Sequence, residues 1–155
     1  MTATADRTES VLGRPMRRKE DGRLLTGQTL WTDNVTLPGM LLMAVLRSPM
    51  AHARITRIDV EPARQRPGVV AVYTGTDLAD SWNSLPMAWT VSEDQKTPPH
   101  MPLASDKARY VGDGLAVVLA TDPYAAADAL EAIEVDYEPL PAVVAMEAAL
   151  ADGAP

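Results

Sequence analysis

The chain has 155 residues, of which 46% are hydrophobic, and this is enough for one globular domain with its own core. Its net charge of −7 argues against general binding to nucleic-acid phosphates, and the absence of cysteine excludes disulfides, thiolate metal ligands and a cysteine nucleophile within it. No apolar run approaches the roughly 20 residues that span a bilayer, so we expect no membrane insertion and a cytoplasmic protein.

The N-terminal region is polar and charged. Residues 1–11 lack the apolar centre of a secretory signal and are predicted to be a disordered leader, which leaves residues 12–155 as a single domain. Residues 14–23 contain five basic side chains with two acidic ones among them. These mixed signs favour a solvated, ion-paired segment, in which Arg18 and Asp21 are candidate interface residues.

Two strands, a helix and a third strand are predicted next. Residues 40–46 form a continuous apolar run, which predicts a strand buried on both faces. Residues 52–60 predict a second strand, in which two isoleucines three positions apart need a bulge between them to face the same side. A short helix over residues 61–66 and a β-branched strand over residues 69–74 follow.

Residues 79–104 have a different character, with four prolines, two tryptophans and little periodicity. A long irregular segment within a compact domain is usually functional or forms an interface. Trp82 and Trp89 therefore have two open interpretations. They are either exposed anchors of a binding surface or part of a lid that folds back over a core of small side chains.

A hairpin is predicted after this irregular segment. Residues 108–111 and 115–120 are its two short strands, and Gly112, Asp113 and Gly114 form the turn. Asp-Gly between apolar runs is typical of such a turn because both of its central positions need positive φ.

The C-terminal third is predicted to alternate between strands and helices. A helix over residues 124–133 begins after Asp122, which can cap its free N–H groups. Residues 134–138 alternate between apolar and polar side chains and predict a half-exposed strand. Strand, helix and strand over residues 115–138 predict a right-handed crossover, and a last short helix covers residues 146–150.

Ser48 and His52 lie four residues apart between two predicted strands. A nucleophile and base would need an orienting acid and an oxyanion site, and neither is apparent nearby, so a turn is the favoured interpretation. His52 and His100 are the only imidazoles, and neither has the spacing of a metal site. The Gly112 turn resembles half of a phosphate loop, but it precedes a strand rather than a helix.

Nine short motifs occur along the chain in the order that characterises a known family. They are Gly13-Arg14-Pro15, Arg18-Lys19-Glu20-Asp21, Leu24-Leu25-Thr26-Gly27, Leu37-Pro38-Gly39-Met40, Arg47-Ser48-Pro49, Ala51-His52-Ala53-Arg54-Ile55, Pro67-Gly68-Val69, Tyr110-Val111-Gly112-Asp113 and Val135-Asp136-Tyr137-Glu138-Pro139-Leu140-Pro141. The set resembles the N-terminal α/β-hammerhead domain of molybdenum hydroxylase large subunits, which include carbon monoxide dehydrogenase, aldehyde oxidase and xanthine dehydrogenase. Trp31 and Gly114 depart from the family's usual tyrosine and proline.

The resemblance implies an α+β fold of the α/β-hammerhead type, with a mixed sheet, a hairpin, one β-α-β crossover and short helices. It implies an oxidoreductase complex that hydroxylates or oxidises its substrate at a molybdenum–pterin centre and passes electrons through iron–sulfur clusters to FAD. The family's cofactor-binding and catalytic residues lie in other domains, so no catalytic, cofactor-binding or metal-binding residue is assigned to this chain. The implied partners are the remaining large-subunit domains, the iron–sulfur subunit and a flavin subunit.

Nine residues are candidates for structural or interface roles. They are Arg18, Asp21, Arg47, Ser48, His52, Trp82, Trp89, Gly112 and Asp113. We expect Arg47 and His52 to fix the joint between two strands, or its contact with a neighbouring domain, by hydrogen bonds. Two alternatives stay open: a stand-alone protein-interaction module without a redox partner, and a small hydrolase that uses Ser48 and His52.

Overall fold

The structure is a computed structural model that describes residues 12–13, 15–87 and 89–155. The chain divides into two compact units, Met1–Pro38 and Gly39–Pro155. The predicted disordered leader lies outside the described residues. The prediction of one domain over residues 12–155 stays a prediction.

The first unit contains one short helix, α1 (Asp21–Leu25), and a 3₁₀ turn (Thr32–Asn34) among its described residues. The sequence did not predict α1, which overlaps the end of the charged run over residues 14–23. Asp21 lies in its first turn and Arg23 in its last, where each charge complements the helix dipole. No residue of α1 is buried, so this helix contributes nothing to a core.

The second unit contains six strands and three helices among its described residues. In chain order they are β1 (Leu42–Arg47), β2 (Ala53–Asp59), α2 (Glu61–Arg64), β3 (Val69–Thr74), β4 (Lys107–Ala108), β5 (Gly114–Ala120), α3 (Pro123–Glu131), β6 (Glu134–Pro139) and α4 (Met146–Ala149). One antiparallel sheet has the order β1-β5-β3, and the other has the order β4-β2-β6. Because odd-numbered strands share one sheet and even-numbered strands the other, the chain changes sheet at every connection. The α+β class is confirmed.

The main core lies between the first sheet and helix α3. Val72 and Val118 from the sheet pack with Ala126, Ala129 and Ile133, which lie on or just beyond the helix, and all five are buried. The small alanine side chains allow the helix to approach the strands closely. The Asp122 carboxylate accepts hydrogen bonds from the first free N–H groups of α3 at 2.9 and 3.0 Å, which confirms the predicted cap.

The predicted hairpin is wrong. Strand β4 ends at Ala108 and pairs with β2, whereas β5 pairs with β1 and β3. The type I′ turn that Asp-Gly favours needs two consecutive positive φ angles, but within residues 112–114 Gly112 alone has a positive φ, at 96°, and no described non-glycine residue has one. The turn therefore directs the chain from one sheet into the other.

The predicted mixed sheet with a β-α-β crossover is also wrong in detail. Both sheets are antiparallel, and the strands that flank α3, β5 and β6, belong to different sheets. Strand β5 already has a neighbour on each edge, so β6 cannot join it. Instead β6 pairs with β2, where Arg54 contacts Glu138 at 3.2 Å and Arg57 contacts Glu134 at 3.4 Å.

Two details of the strand predictions have opposite outcomes. The bulge in β2 is confirmed by a register shift between Ile55 and Arg57 against β6. Burial of β1 on both faces is wrong, because β1 is an edge strand and Met43 is 67% exposed. An apolar run of this length fits either a central strand or an edge strand whose outer face is covered by something else.

We expect Val118→Asp to destabilise the fold by about 3 kcal/mol or more, because the new carboxylate would be buried without a partner. Val118 pairs with Ala44 and Val72 and is fully buried beside α3. Val70→Asp is the matched control, since Val70 on β3 is 56% exposed. Thermal melts that shift equally for the two variants would contradict this placement of β5.

The Asp77 carboxylate closes β3, where it accepts the N–H and the hydroxyl of Thr74 at 2.8 and 2.9 Å. The backbone hydrogen bond from Thr74 lowers the pKa of Asp77, burial opposes this effect, and the Thr74 hydroxyl and Arg64 reinforce it. A lowered folded-state pKa stabilises the fold above the ordinary carboxyl pKa of about 3.9 and loses this effect as the pH falls through the lowered value.

We therefore expect Asp77→Asn to lower the free energy of unfolding at neutral pH and to match the wild type in strong acid. Urea unfolding across pH 2 to 7 measures this difference. Asp80→Asn is the control, because Asp80 is also exposed but has no such contact with Thr74. A difference between wild type and Asp77→Asn that stays constant with pH would contradict the assignment.

Candidate functional site

The joint of residues 48–52 connects β1 to β2 and thereby crosses from one sheet to the other. Ser48 is buried there. Its hydroxyl accepts the N–H of Met50 at 3.0 Å and donates to the carbonyl oxygen of Met50 at 3.2 Å. The hydroxyl is therefore used within its own turn, as expected for a serine followed by proline.

The turn of residues 109–113 crosses between the sheets beside this joint. The Ser48 N–H donates to the Asp113 carbonyl at 2.8 Å, and the Gly112 N–H donates to the Ser48 carbonyl at 2.8 Å. The Arg47 guanidinium donates to the Gly112 carbonyl at 2.9 Å. These three bonds form what we call the inter-sheet clamp. Gly112 has φ of 96°, which other residues rarely adopt, so the clamp depends on a glycine here.

The carboxylate of Asp113, a residue of the clamp, is buried. Its Oδ2 accepts the Arg109 N–H at 3.0 Å, and its own N–H donates to the Tyr110 carbonyl at 3.2 Å. A buried carboxylate is costly unless hydrogen bonds replace its hydration. The Arg109 guanidinium bonds the Lys107 carbonyl at 2.9 Å and lies 3.4 Å from Asp106, so the whole turn is internally braced.

His52 ties the joint to the chain that leaves β6. Its Nδ1 donates to the Pro141 carbonyl at 2.6 Å, and its own carbonyl accepts the Leu140 N–H at 2.9 Å. Ser48 and His52 thus bond different partners, and no hydrogen bond joins their side chains among the described residues. The arrangement lacks the contact between nucleophile and base that a hydrolytic dyad requires.

Tyr137 lies on β6 opposite Ile55 of β2, beside a small buried cluster that includes Ala108 and Leu115. Burial raises the pKa of the Tyr137 phenol, and the hydrogen bond with the Ser48 hydroxyl offsets part of that rise. The phenol therefore stays protonated at neutral pH. Its place between the joint and the second sheet gives it a packing role.

The remaining candidate residues are Arg18 and Asp21 in the first unit and the two tryptophans of the irregular segment in the second. Arg18 and Asp21 form an ion pair within the first unit, with Nε and Oδ1 3.0 Å apart, and exposed pairs of this kind contribute about 0–1 kcal/mol. Trp82 is half-buried and its N–H donates to the Leu78 carbonyl at 3.1 Å, whereas Trp89 is exposed. The two tryptophans therefore differ in exposure, and both interpretations of them stay open.

An open groove of about 590 Å³ borders the joint and the turn. Its lining includes His52, Lys107, Arg109, Tyr110 and Val144. Sequence reasoning did not single out Lys107, Arg109 or Tyr110. The family motif at residues 110–113 includes Tyr110 but neither Lys107 nor Arg109, and it identifies the turn but not the direction of its side chains.

The chain has no cysteine among its 155 residues. Without cysteine it cannot supply the thiolates that hold iron–sulfur clusters. Within residues 12–13, 15–87 and 89–155, no group of three or more His, Asp or Glu side chains is placed to hold a metal ion. No helix in the described part of the chain is long and apolar enough to cross a membrane.

We expect Ser48→Ala to lower the free energy of unfolding by about 1–2 kcal/mol, because the Met50 N–H loses its partner in a partly buried turn. Ser105→Ala, at an exposed serine, is the control and is expected to change little. Urea unfolding measures both variants. Loss of an esterase activity in Ser48→Ala with unchanged stability would instead favour the hydrolase.

Comparison with known proteins gives one consistent family. The model of the aldehyde oxidase and xanthine dehydrogenase a/b hammerhead domain matches residues 26–141. The chain is 42% identical over 143 residues to the carbon monoxide dehydrogenase large chain of Afipia carboxidovorans, which covers 91% of this chain and 17% of that protein. It is 39% identical over 145 residues to the 6-hydroxypseudooxynicotine dehydrogenase complex subunit gamma of Paenarthrobacter nicotinovorans, covering 92% of this chain and 18% of that protein.

The solved structures agree with the sequence relatives. Quinoline 2-oxidoreductase from Pseudomonas putida 86 is similar with a TM-score of 0.80 and 44% identity, over 87% of this chain and 17% of that chain. The chain thus spans 17–18% of the length of these relatives. The matched residues 26–141 include the joint, the turn and all six strands. The chain belongs to the aldehyde oxidase and xanthine dehydrogenase a/b hammerhead domain family.

Proposed function

We propose that the chain is the N-terminal hammerhead domain of a molybdenum hydroxylase large subunit, as part of a longer chain or as a separately encoded subunit. The observation that carries this proposal is its match to 17–18% of the length of two such large chains at about 40% identity. The complete complex would be an oxidoreductase that acts on carbon monoxide, aldehydes or N-heterocycles. It would contain molybdenum–pterin, iron–sulfur clusters and FAD, and it would be cytoplasmic.

The role of this chain in the complex is architectural. The Ser48 hydroxyl and the Asp113 carboxylate bond backbone groups of their own turns, and the Arg47 guanidinium bonds the Gly112 carbonyl, so each of these polar groups has a structural partner. No residue of the chain is assigned a step in the reaction. The pterin, the metal and the substrate would be held by the remaining large-subunit domains.

The surface around the clamp supports an interface role. The groove beside the joint brings apolar side chains together with the basic groups of Lys107 and Arg109, and Tyr110 and Val111 are exposed at its edge. Buried interface centres combine aromatic and apolar groups with arginine in this way. The partners in this proposal are the remaining large-subunit domains, the iron–sulfur subunit and a flavin subunit.

Purification of the tagged protein from its native host, followed by metal analysis, tests the proposal. We expect molybdenum and iron to co-purify with it, together with polypeptides that carry the cysteines this chain lacks. The separately expressed 155-residue chain is expected to bind no molybdenum and to oxidise no aldehyde, purine or carbon monoxide.

Two results would contradict the proposal. One is a native preparation that contains neither metal nor partner polypeptides, which would favour a stand-alone interaction module. The other is bound molybdenum with turnover in the 155-residue chain alone.

A further inference from the structure

A stretch of the irregular segment has large apolar side chains at every second position. Leu85, Met87, Trp89 and Val91 are 48%, 49%, 75% and 81% exposed. Strict alternation over this length predicts a strand with one buried face. None of the described residues between 85 and 91 lies in a strand. The apolar side chains that the pattern predicts to be buried are therefore exposed. We call residues 85–91 the apolar arm.

The base of the apolar arm is closed by hydrogen bonds. The Leu85 N–H donates to the His100 carbonyl at 2.8 Å, and the His100 N–H donates to the Ser84 hydroxyl at 2.9 Å. The His100 imidazole lies 3.2 Å from the Tyr110 hydroxyl, on the turn that carries the clamp. The arm therefore leaves the domain at a fixed place beside the inter-sheet clamp, rather than from an unanchored loop.

We propose that the apolar arm docks onto an apolar surface of the remaining large-subunit domains, with its four alternate side chains facing that surface. This inference rests on the proposed function and names the contact through which the domain would be held. Pro86 within the arm has no N–H to donate, so the arm could pair with another strand only as an edge strand of a sheet. The side chains therefore carry most of the contact.

The composition of the arm identifies its partner as a permanent one. Its alternate positions are Leu, Met, Trp and Val without a charge, and an uncharged apolar centre is typical of obligate interfaces rather than transient ones. The relatives are more than five times as long as this chain, so a permanent neighbour within the same subunit is available. An anionic membrane is disfavoured, because the protein is acidic and Glu93 and Asp94 follow the arm.

The rate at which Met87 is oxidised measures whether the arm is docked in the native complex. We expect hydrogen peroxide to oxidise Met87 about tenfold more slowly in the purified complex than in the urea-unfolded protein, because a docked side chain is shielded. Oxidation at the unfolded rate would overturn the proposal. Protection that appears only after addition of phosphatidylserine vesicles would do the same and would identify a membrane as the partner.

Two neighbouring substitutions separate docking from a general effect of charge. Val91→Asp places a carboxylate on the docking face, whereas Thr90→Asp places it at the adjacent exposed position off that face. We expect Val91→Asp to lower the yield of assembled complex on gel filtration by about tenfold and Thr90→Asp to leave it nearly unchanged. Equal yields for the two variants would overturn the proposal.

Metal content distinguishes the two possible failures. If the native protein contains molybdenum and its partner polypeptides but Met87 is unprotected, the arm does not dock and the proposed function stands. If the native protein has neither metal nor partners, the proposed function fails, and the arm's docking onto large-subunit domains fails with it.

Discussion

The inter-sheet clamp is the contact on which the rest of the second unit depends. In most antiparallel folds a hairpin sets the register of neighbouring strands locally. Here the chain changes sheet at every connection, so the crossing segments must fix how the two sheets meet. Two of these crossings bond each other through Arg47, Ser48, Gly112 and Asp113. Closing such contacts costs chain entropy, which the hydrogen bonds between the two crossing segments offset.

This arrangement has a consequence for function. The polar groups most easily mistaken for catalytic ones are among the groups that tie the two crossing segments to each other. The open groove and the apolar arm, both beside the clamp, are surfaces that other molecules can reach. A domain with rigid internal joints and uncovered apolar surface is suited to positioning a larger assembly, and the short match to the lengths of its relatives is consistent with that role.

Local chemistry made much of the fold predictable. The bulge in β2, the Asp122 cap and the β-branched strand β3 depend on residues close in sequence, and each was predicted. The pairing of strands was not, because alternation and turn residues say nothing about which edge a strand will join. Gly112 and Asp113 suggested a hairpin, and only the backbone angles show that a single positive φ redirects the chain instead.

The candidate site was predictable only in part. The motifs located the joint and the turn, and the hydrogen bonds of Arg47 and His52 lie where the sequence suggested a joint. The contact of His100 with Tyr110 joins residues of no shared motif, so no pattern pointed to it. The alternation of the apolar arm was present in the sequence, but it is short and lies within a segment of little overall periodicity.

A structure of the native complex by electron cryomicroscopy is the decisive test of the architectural role proposed for this chain. We expect the clamp to be retained, the apolar arm to be buried against another large-subunit domain, and every ligand of the molybdenum centre to come from outside these 155 residues. A side chain of this chain bound to the metal, together with a solvent-exposed arm, would contradict it.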